Sequence, residues 1–216
     1  EQNTAVGYVA MNMNTTGGGN TAIGANAGKE NQTGSSNTYV GKGAGFGASG
    51  QNHSDNVGVG KDALLAVTSG SYNTSIGYRA LAACTTAGGN TVVGHNAAQG
   101  LAAGGNSGTD NTVIGAWALD AATTNERNNV VVGSYAGSGI LGSASDDNVL
   151  IGYQAGLGGS GTTEDCVAIG AYAMDGTTTN TQSGTVAIGY SALSTLTTGA
   201  GNLAIGYQAM TTHTTA

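Results

Sequence analysis

Aliphatic residues recur along the chain in short, evenly spaced groups. Each group places a Val or Ile directly before a Gly, and a Thr, Val or Leu two residues before that Val or Ile. Alternation of such residues at period two is typical of a short β-strand that places both side chains on one face. The pattern therefore predicts one short strand in every repeat of the chain.

The Gly that follows each predicted strand sets the period. Its positions are Gly7, Gly24, Gly41, Gly60, Gly77, Gly94, Gly115, Gly133, Gly152, Gly170, Gly189 and Gly206. Successive Gly residues are 17 to 21 positions apart, so twelve units occupy residues 1–216 as a single repeat domain. Stacking of one parallel strand per unit, about 4.8 Å apart, predicts an all-β parallel β-solenoid or β-roll of twelve coils, roughly 55–60 Å long.

The Val or Ile before each Gly forms what we call the Val/Ile row, and it is predicted to be the structural core. The row consists of Val6, Ile23, Val40, Val59, Ile76, Val93, Ile114, Val132, Ile151, Ile169, Ile188 and Ile205. Fully burying one such side chain contributes about 1.5–3 kcal/mol, whereas ordering each residue of a coil costs about 1–2 kcal/mol. Because one chain offers so few aliphatic side chains per coil, we expect a homotrimer in which three chains share this row.

Two further positions are nearly constant. Ala stands three residues after every Gly, which predicts a tight layer where a larger side chain would clash. Asn stands four residues before the Gly in ten units, with Cys166 and Thr185 as the exceptions, and this predicts a stacked ladder of turn residues. The Gly itself predicts a positive φ or a close approach of two backbones.

Composition narrows the function classes. The net charge is −7 and the five basic residues are scattered, which argues against binding of nucleic acid. The sequence contains no run of 18 apolar residues, so no membrane insertion is predicted. Forty Gly, no Pro and 8% charged residues are typical of a repetitive fold and not of a globular domain. The chain opens with Glu1 inside a repeat, so we interpret it as a fragment of a longer protein.

The repeat resembles two known groups. The segments Asn-Thr-Ala-Val-Gly-Tyr-x-Ala (Asn3 to Ala10) and Asn-Leu-Ala-Ile-Gly-Tyr-Gln-Ala-Met (Asn202 to Met210) are similar to tandem repeats of phage tail fibres. The same motif is similar to the head repeats of trimeric autotransporter adhesins, although those heads use shorter and more regular coils. The resemblance implies a left-handed, trimeric β-roll located on a virion or, as an extracellular segment, at a cell surface.

Aromatic residues follow the Gly in most units. Tyr8, Tyr78, Tyr153, Tyr190 and Tyr207 come directly after it, whereas Trp117, Tyr135 and Tyr172 come one position later. Packing between chains is the first interpretation of these rings. The alternative is a surface that recognises a host glycan or receptor, with Trp117, Tyr135 and Tyr172 as candidate recognition residues. The long loops Ala98–Asp110 and Asp120–Asn128 are the other candidates for recognition.

Three further kinds of site have candidate residues in the sequence. A row of Thr residues at the start of the strands suggests ice binding, but it changes to Val in the later coils, as at Val130 and Val149. Acidic loop residues lack the spacing of a calcium loop. His53, His95 and His213 share no metal-ligand spacing with Cys84 or Cys166. In regular coils the two cysteines also lie too far apart for a disulfide.

No set of residues indicates catalysis, so no enzymatic activity, cofactor or metal is expected. The sequence predicts a structural segment of a trimeric phage tail fibre or surface adhesin, which acts as a rigid spacer and takes part in host attachment. The alternatives are a glycan-binding module and an ice-binding solenoid.

Overall fold

The computed structural model describes residues 2–50, 52–101, 108–122, 125–140, 145–158, 161–176, 181–197 and 199–212. Within these residues the chain forms fifteen short strands and no helix. All strand pairs are parallel, and the strands stack as a β-solenoid with one coil per sequence unit. The predicted fold class is therefore confirmed, whereas handedness and the trimer stay predictions.

Twelve strands form one long sheet, which we call the main sheet. They are β1 (Thr4–Val6), β2 (Thr21–Ile23), β3 (Thr38–Val40), β4 (Val57–Val59), β5 (Thr74–Ile76), β6 (Thr91–Val93), β7 (Thr112–Ile114), β8 (Val130–Val132), β9 (Val149–Ile151), β11 (Val167–Ile169), β13 (Val186–Ile188) and β15 (Leu203–Ile205). A second sheet contains β10 (Thr163–Glu164), β12 (Gln182–Ser183) and β14 (Gly199–Ala200).

The register of the main sheet follows the sequence repeat throughout. Thr4 pairs with Thr21, and the equivalent positions pair in every later coil. Thr91 pairs with Thr112 in the same way, although this coil is 21 residues long. Extra residues are therefore accommodated in the connecting segments, as surface loops allow.

The interior of the coil is built by a different strand residue from the one predicted. The middle residue of the strand points inward, and Ala22, Val92 and Leu150 are fully buried examples. The invariant Ala joins this interior in almost every coil, and the fourth residue after the Gly completes it, as at Leu119 and Leu193.

The Val/Ile row, which is predicted to be the structural core, does not line the interior of one chain. None of its twelve side chains is buried, and exposure reaches 57% at Val6 and 66% at Ile205 in the end coils. A three-residue strand points its first and third side chains to one face and its middle one to the other. The narrow interior takes the single middle residue, so the paired side chains lie outside. Burial of the row between chains stays a prediction.

Large and small interior residues compensate for one another. Tyr39 occupies a middle position, and a Cβ on Gly45 would collide with its ring, while a Cβ on Gly58 would lie 3.0 Å from it. Leu150 likewise lies where a side chain at Gly156 would be, with its Cδ2 2.6 Å from the position of that Cβ. In these coils a large residue at one interior position is thus accompanied by Gly at another, which avoids overpacking.

The turn after each strand depends on unusual backbone conformations. The repeat Gly has φ between 127° and 149° in every coil, and the second and fourth residues after it are left-handed, as at Trp117 (58°) and Leu119 (50°). The N–H groups of these two left-handed residues point to opposite neighbouring coils. Trp117 N–H donates to the His95 carbonyl of one neighbour, and Leu119 N–H donates to the Ala136 carbonyl of the other. Hydrogen bonds between coils therefore continue through the turn.

The predicted Asn ladder is present inside the solenoid. The Asn129 Oδ1 accepts hydrogen bonds from the backbone N–H and the Nδ2 of Asn148, at 3.0 and 2.9 Å. The Asn129 Nδ2 donates to the Asn111 Oδ1 and to the Ser145 carbonyl. At the exception Cys166 the backbone N–H still donates to Asn148. From Asn3 to Cys166 the ladder satisfies buried polar groups and links each coil to the next. It ends there, because Thr185 Oγ1 and Asn202 Nδ2 have no hydrogen-bond partner among the described residues.

Candidate functional site: an apolar face and an aromatic ladder

The outer face of the main sheet is the first candidate surface. It carries the Val/Ile row and, beside it, the residues that begin the twelve strands: Thr4, Thr21, Thr38, Val57, Thr74, Thr91, Thr112, Val130, Val149, Val167, Val186 and Leu203. Every one of these side chains is partly or largely exposed. None of the 24 is charged, so an uncharged, mainly apolar strip runs along all twelve coils.

The aromatic ladder is the second candidate surface. It consists of Tyr78, His95, Trp117, Tyr135, Tyr153, Tyr172, Tyr190 and Tyr207, one ring in each of eight successive coils. Neighbouring ring centroids are 5.2 to 6.5 Å apart, and the pairs range from stacked to edge-to-face. The rings therefore form one continuous row along the rod.

The turn places these rings side by side. The sequence separates them into one set directly after the Gly and another set one position later, but both positions lie in the same turn at the end of the strand. The turn thus brings together the candidate recognition residues Trp117, Tyr135 and Tyr172. The ring of Tyr153 lies between those of Tyr135 and Tyr172. The sequence interpretation of His95 concerned only metal binding, which its spacing argues against. It missed the place of His95 in the ladder, although its position directly after Gly94 was the signal.

Charged side chains lie at the Tyr78 end of the ladder and in the segments before the strands. The Lys61 ammonium lies 5.4 Å from the Tyr78 ring centroid, at the start of the row. Acidic residues cluster before the strands instead, where Asp146 pairs with Arg127 at 3.0 Å. Asn128 Nδ2 donates to the Asp147 carboxylate there. Both ends of the strands therefore carry ion pairs, since Lys61 also lies 3.9 Å from the Asp62 carboxylate.

A buried polar pair lies inside the third and fourth coils. The Tyr39 hydroxyl lies 2.8 Å from His53 Nδ1 and donates a hydrogen bond to Asn37 Oδ1 at 3.1 Å. Burial lowers the pKa of His53 to about 4 and raises the pKa of Tyr39. No partner is found for His53 Nε2. The pair is a packing feature, because neither side chain reaches the surface.

The cysteines and acidic residues form no joint site in the described part of the chain. Cys84 and Cys166 are free and buried, and burial raises the pKa of the Cys84 thiol to about 12. No group of three or more His, Cys, Asp or Glu residues that could hold a metal ion occurs among the described residues. The described coils also contain no pocket.

Parts of the predicted recognition loops lie outside the described residues. In the loop Ala98–Asp110 these are residues 102–107, and in Asp120–Asn128 they are residues 123 and 124. His213 lies outside the described residues as well. The aromatic ladder is therefore the predicted recognition surface for which the geometry is complete.

The fold defines the class of protein as a parallel β-solenoid. Comparison with known protein families, with curated proteins and with solved structures found no match to the chain. In the residues that the structure describes, no helix is long and apolar enough to cross a membrane.

Proposed function

We propose that the chain is a structural segment of a trimeric phage tail fibre or surface adhesin, where it serves as a rigid spacer. The observation that carries the proposal is the uncharged outer face, which runs unbroken along all twelve coils. Contiguous exposed apolar patches of this kind mark surfaces that bind other molecules. A partner that covers the strip over its full length needs the same repeat and the same period, which a second copy of this chain has.

We propose three chains, and not another number, because the repeat resembles the heads of trimeric adhesins. Three copies that turn their outer faces toward a common axis bury the Val/Ile row between them. Such packing supplies the apolar burial that the thin interior of a single coil lacks. The parallel stacking of strands makes each chain a rod, and host attachment at a virion or cell surface is the setting in which a rigid rod serves as a spacer.

The proposal is tested by a charge on the outer face. In a trimer, Ile151→Asp brings three carboxylates into an apolar interface, where each charge costs several kcal/mol. We expect the variant to dissociate to single chains, measured by sedimentation velocity at several concentrations. The control is Asn12→Asp, which adds the same charge at an exposed turn and should leave the trimer intact. An Ile151→Asp variant with the sedimentation coefficient of the wild type would contradict the proposal.

Ice binding is a second candidate, favoured by one observation. Thr side chains begin six of the first seven strands of the main sheet, and they lie on the same exposed face as the Val/Ile row. This gives a regular array of hydroxyl and methyl groups at the spacing of the coils. Inhibition of ice recrystallisation by a single-chain form would support this candidate, and its absence would leave the spacer as the proposal.

A further inference from the structure

The aromatic ladder combines rings with neutral hydrogen-bonding side chains. In the last seven coils the two residues after the repeat Gly are His95 and Asn96, Ala116 and Trp117, Ser134 and Tyr135, Tyr153 and Gln154, Ala171 and Tyr172, Tyr190 and Ser191, and Tyr207 and Gln208. Every pair contains one ring and one small, hydroxyl or amide residue. No Lys, Arg, Asp or Glu occurs at these fourteen positions.

We propose that the aromatic ladder binds a neutral polysaccharide, with the sugar chain extended along the rod. The C–H faces of sugar rings pack against aromatic rings, and sugar hydroxyls pair with Ser and Gln side chains. Tyr and Trp suit such a surface because they combine a large apolar face with a polar tip. This inference concerns the turns after the strands, whereas the proposed trimer contact concerns the outer face of the strands themselves.

The shape of the ladder favours a polymer over a single sugar. The rings repeat once per coil with centroids 5.2 to 6.5 Å apart, and each ring from Tyr78 to Tyr207 is followed by the next without a gap. A ligand that contacts several rings must therefore be long and must itself repeat. Contacts spread over many rings add up to useful affinity although each one is weak.

Charge decides which polysaccharide fits. The chain carries a net charge of −7, and many of its acidic residues precede the strands, as Asp110, Asp146 and Asp147 do. A polyanionic glycan would be repelled by this field and would find no basic partner along the ladder from His95 onward. A neutral chain meets no such penalty.

The rings also contact one another, and this mutual packing supports binding. Tyr135, Tyr153 and Tyr190 keep 39%, 44% and 45% of their surface exposed although each touches two neighbouring rings. Rings that are held in place lose little freedom when a ligand covers them. The ladder therefore presents exposed aromatic surface on a pre-organised scaffold.

The test uses the intact chain and three neutral polymers: hydroxyethylcellulose, galactomannan and dextran. We expect at least one of them to retard the chain in native affinity gels, and alginate, a polyanion, to have no such effect. Trp117 is the one tryptophan in the chain, so binding should also shift its fluorescence emission to shorter wavelength. No retardation by any neutral polymer together with no change in emission would overturn the proposal.

A double variant identifies the surface. Tyr135→Asn with Tyr172→Asn removes two rings and keeps Trp117 as the reporter. Asn already occupies the equivalent left-handed position at Asn26 and Asn96, with φ of 60° and 51°. We expect the affinity to fall at least about tenfold, because aromatic anchors carry a large share of binding free energy. Unchanged affinity in this variant would contradict the assignment of binding to the ladder.

Tyr72→Asn is the matched control. Tyr72 is exposed and left-handed, with φ of 62°, but it lies before its strand and outside the ladder. Asn128 stands at the equivalent position with φ of 57°, so the fold accepts the change. The control should bind as the wild type does. The chain mass is measured in the same samples: a trimer that does not bind contradicts the ladder proposal alone, and a single chain that binds contradicts the trimer alone.

Discussion

The repeat Gly is fixed at the residue scale by two independent constraints. At Gly152 the φ of 137° lies in a region that side chains rarely adopt. A Cβ there would also lie 2.6 Å from the carbonyl oxygen of Gly170 in the next coil. Neither constraint can be relieved by a side-chain rotation, because the colliding atoms belong to the backbone of the stack.

Gly152→Ala should therefore destabilise the chain by about 3 kcal/mol or more, since backbone strain and a steric clash add. The measurement is denaturant unfolding followed by circular dichroism. Gly18→Ala is the control, because Gly18 has open space around its Cβ position and no positive φ. Its effect should stay within about 1 kcal/mol. Equal effects of the two substitutions would show that the close approach of the coils is absent.

His53 gives the chain a predicted pH dependence. Burial lowers its pKa to about 4 from the ordinary value of 6.5. Between these two pH values the unfolded state binds a proton that the folded state does not, so the free energy of unfolding falls as the pH falls through this window. The full effect is about 3 kcal/mol at the acid end. The pKa values of Asp120 and Asp175 are raised by burial and act in the opposite direction.

The His53→Gln variant isolates this contribution, because the two aspartates remain in both proteins. We expect the free energy of unfolding to fall less steeply between pH 6.5 and pH 4 in the variant than in the wild type. Urea unfolding at intervals of pH across that window is the measurement. Parallel pH profiles would mean that His53 is not held in its uncharged form.

At the scale of the strand and its turn, one interior volume is shared between two positions. Leu150 fills the middle of β9, and Gly156 leaves room for it. In a later coil Ala187 takes the middle position of the strand, and Leu193 takes the position equivalent to Gly156. The backbone is the same in both coils, since Gly156 and Leu193 have φ of 54° and 53°.

The double variant Leu150→Ala/Gly156→Leu should therefore be more stable than the two single changes predict. Leu150→Ala alone leaves a cavity and costs about 2–5 kcal/mol, and Gly156→Leu alone collides with the Leu150 side chain. Together they reproduce the arrangement at Ala187 and Leu193. A double-mutant cycle by chemical denaturation measures the coupling. Additive effects of the two changes would contradict shared volume.

The strands and their period could be predicted from the sequence because β-branched residues alternate before a constant Gly. The inward face could not be predicted. The middle residue varies from Gly58 to Tyr39, so it looks unconstrained until its compensating partner is known. The constant Val/Ile row looked like the core for the opposite reason, although it lies outside. The constant Val or Ile indicated a face that all coils share, but the sequence did not indicate whether that face lies inside the coil or outside it.

The ladder was half predicted for a similar reason. Trp117, Tyr135 and Tyr172 share one position, whereas Tyr78 and Tyr153 occupy the position before it. Sequence spacing separates the two sets, but the turn conformation brings their rings into contact, as between Tyr153 and Tyr172 with centroids 5.4 Å apart. Knowledge of the left-handed residues in the turn was needed to unite them.

On the scale of the whole molecule, a rod with a narrow interior presents an uncharged strip along its length. One chain buries its middle strand residues, its Ala residues and its Asn ladder, and it leaves the Val/Ile row outside. The proposed trimer gives that row an interior of its own. The rod then has two kinds of surface: a strip that joins chains, and turns that carry the aromatic ladder.

The mass of the folded chain in solution, measured by light scattering at several concentrations, tests the trimer most directly. The account predicts three times the chain mass of 20.9 kDa, unchanged on dilution and reduced to a single chain by Ile151→Asp. A mass of 20.9 kDa at every concentration would contradict it, because the outer face would then be open to water in the native protein.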